Sequence, residues 1–134
     1  MRRLSNFFPA AAALAAACSL VACASSDYHY SQLSGHRYFR APIDTYAVSI
    51  IRVDGKDVLQ RPFSLVDPGK REVTVLGPPG AANTAGVERN ISLEIAPCTR
   101  YYLVAVKGNA LNSDFAVRVD HQEPVAGCTP PTSS

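Results

Sequence analysis

The sequence predicts an all-β sandwich of about seven short strands. Three observations carry that expectation. Apolar and polar residues alternate with period two in several segments, β-branched runs stop at Asp-Gly and Pro-Gly corners, and no segment beyond residue 22 has a helical period.

In chain order, Tyr46 to Val53 reads Tyr-Ala-Val-Ser-Ile-Ile-Arg-Val and ends at Asp54-Gly55-Lys56, which is a strand running into a tight turn. Val58 to Leu65 continues as one or two short strands interrupted by Pro62, which has no N–H to give to a ladder and belongs at an edge or bend. Pro68-Gly69 marks a corner, with Pro presetting φ and Gly accepting a positive φ. Arg71 to Leu76 follows, with Val73 and Val75 on one face. Ile91, Leu93 and Ile95 alternate with Asn90, Ser92 and Glu94, so one face is expected inside and the other wet. Tyr101 to Val106 is almost continuously apolar, as a central strand would be, and its two tyrosines point to opposite faces. Phe115, Val117 and Val119 are expected inside, with Arg118 and Asp120 in solvent. A one-residue slip would invert these assignments.

The N-terminus reads as a leader. Arg2 and Arg3 form a basic start, Phe7 to Ala17 an apolar core, and Leu20-Val21-Ala22-Cys23 resembles the lipobox of a bacterial lipoprotein precursor. That resemblance implies cleavage before Cys23, acylation of its thiol, and a protein held on a membrane by lipid. Ala24 after the cysteine, rather than Asp, implies the outer membrane, with the domain facing the periplasm or the cell surface. Ordinary signal cleavage after Ala22-Cys23-Ala24 is the rival, and would release a soluble periplasmic protein. Cys18 is a second candidate for lipidation but lacks the large aliphatic residue three positions upstream. An uncleaved membrane span is disfavoured by Asn6, Pro9 and an apolar stretch that barely reaches the roughly 20 residues required.

Removing residues 1–22 from the 134-residue chain leaves 112, enough for one domain. Arg2 and Arg3 leave with the leader, so 11 basic residues then balance 11 acidic ones. A near-neutral domain gives no footprint for nucleic acid and no polybasic membrane patch. Residues 23–35 are small and polar and read as a lipidated tether, with Tyr28-His29-Tyr30 as a linker or an early strand. Residues 36–128 read as the sandwich and residues 129–134 as a frayed tail.

Val53-Asp54-Gly55-Lys56, Pro62-Phe63-Ser64-Leu65, Asp67-Pro68-Gly69-Lys70 and Val73-Thr74-Val75 together resemble the PEGA-type surface modules. The resemblance covers roughly residues 48 to 106; the excursion from Gly77 to Glu88 is longer than the pattern has. It implies a small immunoglobulin-like or transthyretin-like β-sandwich, an envelope-associated structural or binding role, and no catalytic residues.

With Cys23 lipidated and Cys18 lost, Cys98 and Cys128 are the cysteines left in an exported chain, so a disulfide is expected. A redox pair is the alternative, but the spacing is not CxxC. No GxSxG elbow, HExxH or Walker loop occurs, and Gly77-Pro78-Pro79-Gly80 lacks the donors a phosphate cradle needs at its prolines, so it reads as a surface loop, with a binding loop as the alternative given its length. His29, His36 and His121 with Glu123 offer weak metal spacing, and Asp54 and Asp57 flank a turn where carboxylates cap backbone. The expectation is therefore a non-enzymatic binding or structural module, with no cofactor and no metal. Its partners would be the membrane, through the lipid, and an envelope protein or polymer. The alternative is a soluble periplasmic accessory or inhibitor of an envelope enzyme.

Overall fold

The computed structural model describes residues 29–59, 62–81 and 85–130. Leu20, Val21, Ala22 and Cys23 lie outside the described residues. Nine strands form two sheets among the described residues, and no helix occurs there. The count exceeds the seven expected because the Tyr46–Val53 run divides into two strands and an unexpected strand precedes it.

That unexpected strand is β1 (Ser31–Ser34), inside the segment expected to be tether. Its serines are fully buried rather than solvated: Ser31 Oγ donates to Ala96 O and accepts from Thr99 N. Burying a hydroxyl is tolerable when donor and acceptor capacity are both used, so a polar segment occupies the middle of the sheet.

The Tyr46–Val53 run divides into β2 (Thr45–Ala47) and β3 (Ser49–Val53), because the chain changes sheets at Val48. β4 (Lys56–Asp57) returns antiparallel after a two-residue turn in which Asp54 and Gly55 take φ of 50° and 76°, the positive pair that such a hairpin requires. β5 (Ser64–Val66) and β6 (Gly69–Leu76) follow, with Gly69 at φ 111° in the expected corner. β7 (Glu88–Ile95), β8 (Thr99–Val106) and β9 (Ala116–Pro124) complete the chain.

In the first sheet β8 is central. β9 pairs with it antiparallel on one edge, while β1, parallel, and β2, antiparallel, share the other; β5 lies beyond β1. The second sheet has the order β4-β3-β6-β7. Leu33, Val66, Tyr101, Leu103 and Ala105 of the first sheet meet Ile50, Val73, Val75 and Ile95 of the second in one core, which makes the two sheets a sandwich.

Along β7, Ile95 is buried while Ile91 and Leu93 are half-buried against the core; Ser92 and Glu94 are exposed, as the alternation requires. On β9 the expectation fails in part. Phe115 is buried and Val117 half-buried, but Val119 is 36% exposed and Asp120 is half-buried. Val119 pairs with the core residue Leu103 but sits on the edge strand, while Tyr102 pairs with His121, so Asp120 is the extra residue of a β-bulge at the sheet edge.

The crossing at Val48 depends on Gly35. Val48 N donates to Gly35 O at 2.9 Å, and a Cβ at residue 35 would lie 1.9 Å from Val48 O. Backbone blocks that space, so no rotamer change relieves the clash. Gly35→Ala is expected to cost at least about 2 kcal/mol in urea unfolding, while Gly108→Ala, whose Cβ would meet nothing, should stay within about 0.5 kcal/mol.

Cys98 and Cys128 form the expected disulfide, with Cα atoms 5.5 Å apart and a sequence separation of 30. Pro97 sets up the tight corner between the sheets, and Cys98 takes φ 53° after it. Cys98 O accepts from Val125 N at 2.9 Å, and Val125 is itself buried, so the bridge fastens the end of the chain to the start of β8. Reduction is expected to lower stability by about 3.5 kcal/mol through the loop entropy released, read as a fall in melting temperature with β content at low temperature unchanged.

Candidate functional site

The bulge at Asp120 builds the most organised polar surface of the domain. With regular pairing, His121 would face the core beside Tyr101. The extra residue instead turns His121 and Glu123 to the outer face, where Tyr102 and Arg100 already point.

Two rows of side chains cross this outer face. In the first, register places Leu65, Gln32, Arg100 and Glu123 side by side across β5, β1, β8 and β9. Arg100 Nε donates to Gln32 Oε1 at 2.7 Å, its Nη1 donates to Glu123 Oε1 at 3.0 Å, and its guanidinium lies 3.9 Å from the Phe63 ring centroid. All three of these uses fit the planar guanidinium, so Arg100 is fixed in place rather than free in solvent. In the second row, Tyr102 pairs with His121, and Tyr38 from the 35–44 connection stacks on the imidazole at 3.8 Å between centroids and 15° between planes. Tyr102 Oη joins the rows by donating to Glu123 Oε1 at 2.9 Å, and His121 Nε2 lies 3.8 Å from Glu123 Oε2. Next to them Val104 points outward yet is fully buried.

Glu123 accepts from Tyr102 and from Arg100, with the charge of Arg100 close by, and these hold its carboxyl below the ordinary value of 4.5. Burial raises the Tyr102 phenol above its ordinary 10.0, so it remains a donor at every physiological pH. The cluster is thus a set of mutually satisfied partners, without a nucleophile held against a base.

Other residues singled out in the sequence lie elsewhere. His29 stacks on Tyr30, and His36 is exposed with its backbone N donating to Ser34 Oγ. Only His121 and Glu123 of the candidate ligands come together, and among the described residues no group of three or more His, Cys, Asp and Glu is placed to hold a metal ion. Asp54 caps the β3–β4 hairpin, accepting from Glu72 N at 2.9 Å and pairing with Arg71 at 3.0 Å; these bonds lower its carboxyl below 3.8. Pro78 and Pro79 are tied down by Lys107, which is buried and donates Nζ to Pro78 O at 3.3 Å and to Pro79 O at 3.4 Å. Tyr38 and Gln32 carry no motif, Phe63 is marked only by the Pro62-Phe63-Ser64-Leu65 resemblance, and no sequence signal makes the three neighbours of Arg100 and His121. The chain matches no known protein family, curated protein or solved structure.

Asp114 is a third lowered carboxyl, held below 3.8 by hydrogen bonding to Arg89. A carboxyl with a folded value below its unfolded one binds fewer protons in the native state. Its contribution is therefore complete above the ordinary value and is lost as pH falls through the lowered one. The urea midpoint is expected to be flat above about pH 5 and to decline steadily below about pH 4.5. Glu123→Gln should make the decline shallower. A midpoint that does not change down to about pH 2.5 would contradict the pairing.

Proposed function

We propose that the chain is a lipid-anchored envelope protein. In this reading the leader of residues 1–22 is removed, Cys23 is acylated, and the sandwich, of the immunoglobulin-like or transthyretin-like type seen in PEGA modules, works in the periplasm as a non-catalytic binding or structural module at the outer membrane. The observation that supports a binding role is the outer face of the first sheet. There an arginine, a carboxylate, an amide, a phenol and an imidazole are locked in one geometry, at intermediate exposure, with each charge already partnered. A preorganised surface of this kind loses little entropy on binding and offers no free base or nucleophile for catalysis. Its partner is read as an envelope protein or polymer.

The address rests on Leu20-Val21-Ala22-Cys23; within the described residues, Tyr30 leads into β1 beside Cys128 of the disulfide. Small residues at Ala22 and Ala24 favour the second reading, a soluble periplasmic accessory or inhibitor.

Labelling cells with a fatty-acid analogue separates the two. Incorporation into the wild-type chain and its loss in Cys23→Ser are expected, and three acyl chains at about 0.8 kcal/mol per buried methylene should resist extraction by high salt. Continued labelling of Cys23→Ser, or release of the wild type by salt alone, would overturn the anchor. A photocrosslinker placed at Leu65, exposed in the same outer row as Gln32 and Arg100, should capture a partner that one placed at Ser92, on the opposite face, does not.

A further inference from the structure

The 35–44 connection holds Phe39 at 77% and Ile43 at 95% exposure, the two most exposed large apolar side chains among the described residues. They are not at a loose end. Arg37 donates to Ala41 O, Pro42 O and Thr45 Oγ1, Ala41 N donates to Tyr38 O, and Lys107 N donates to Asp44 O. Tyr38 is anchored on His121 from the same segment. The backbone is thus braced from inside while two apolar side chains are pushed outward.

Positive charge flanks them. The Arg40 guanidinium lies 5.1 Å from the Phe39 ring centroid, and no carboxylate among the described residues forms an ion pair with Arg37 or Arg40. Asp44 is the one acid of the segment. An aromatic ring and an aliphatic chain beside the Arg40 guanidinium suit the boundary of an anionic bilayer, where rings and methyls enter the acyl edge and a guanidinium meets phosphate.

We propose that the 35–44 segment is a second membrane contact, docking on anionic phospholipid through Phe39, Ile43 and Arg40. This rests on the reading of Cys23 as a lipid anchor, which brings a bilayer within reach. Ser31 is eight positions after Cys23, a separation that extends to at most about 28 Å, close to the length of about 27 Å spanned by the eight residues of β8. The segment on the outer face therefore reaches the same leaflet as the lipid. The low affinity of two side chains is sufficient there, because the anchor makes the second contact intramolecular.

The chain contains no tryptophan, so one introduced residue reports alone. The acylated full-length protein carrying Phe39→Trp is placed in vesicles of phosphatidylethanolamine and phosphatidylglycerol with brominated acyl chains, and Ser92→Trp serves as control. Bromine quenching and a blue shift are expected for Phe39→Trp and not for Ser92→Trp. Adding Arg40→Gln and Ile43→Ser should reduce the quenching severalfold, as should replacing the anionic lipid by phosphatidylcholine. Equal quenching at both positions, or quenching indifferent to phosphatidylglycerol, would overturn the proposal. So would a blue shift without quenching, which would mean that protein covers the segment. Failure of the protein to float with vesicles in high salt marks failure of the anchor instead, and is read separately from the fluorescence.

Discussion

Every layer of the molecule depends on β8 being paired along its whole length. One edge carries β9 from Thr99 to Val106; the other is divided between β1 and β2, which meet it from opposite directions. Tyr101, Leu103 and Ala105 enter the core from its inner face, while Arg100 and Tyr102 organise the outer one. A strand with two paired edges exposes few backbone donors, so it can be almost continuously apolar, as β8 is from Tyr101 to Val106. Its neighbours obtain their register from it, and the disulfide fixes the end of the chain to its first residues.

The two loops that break regularity are consequences of serving that strand. β1 and β2 can both reach the same edge only if the chain leaves β8 at Tyr102, passes over the outer face, and returns at Val106. That path creates the 35–44 connection, lays Tyr38 on His121, and forces the close passage of Val48 over Gly35. The bulge at Asp120 is the matching device on β9. It relieves the alternation so that one strand gives Val117 to the core and, a few residues later, His121 and Glu123 to the outer surface.

Those features also mark where the sequence stops being readable. β6, β7 and β8 are legible because their apolar period matches the burial it causes, and the Asp54-Gly55 turn and the Cys98–Cys128 bridge follow from local chemistry and elimination. β1 is not legible, since Ser-Gln-Leu-Ser is composed like a tether and is buried only because Ser31 finds partners 65 and 68 residues away. Nor is the break at Val48, where an unbroken β-branched run conceals a change of sheet. Alternation from Phe115 through Val119 gives no sign that Asp120 adds a residue, so it predicts Val119 as interior and assigns His121 and Glu123 no neighbours. The site is built by long-range register, which period alone cannot contain.

Native-state hydrogen exchange measures the dependence on β8 directly. If the strand organises the fold, the paired amides of Leu103, Val104 and Ala105 should exchange only through global unfolding, with an exchange free energy that follows the stability measured by denaturant, while amides of the edge strand β7 exchange through smaller openings. Amides of β8 that exchange as fast as those of β7, or that show no sensitivity to denaturant, would contradict the account.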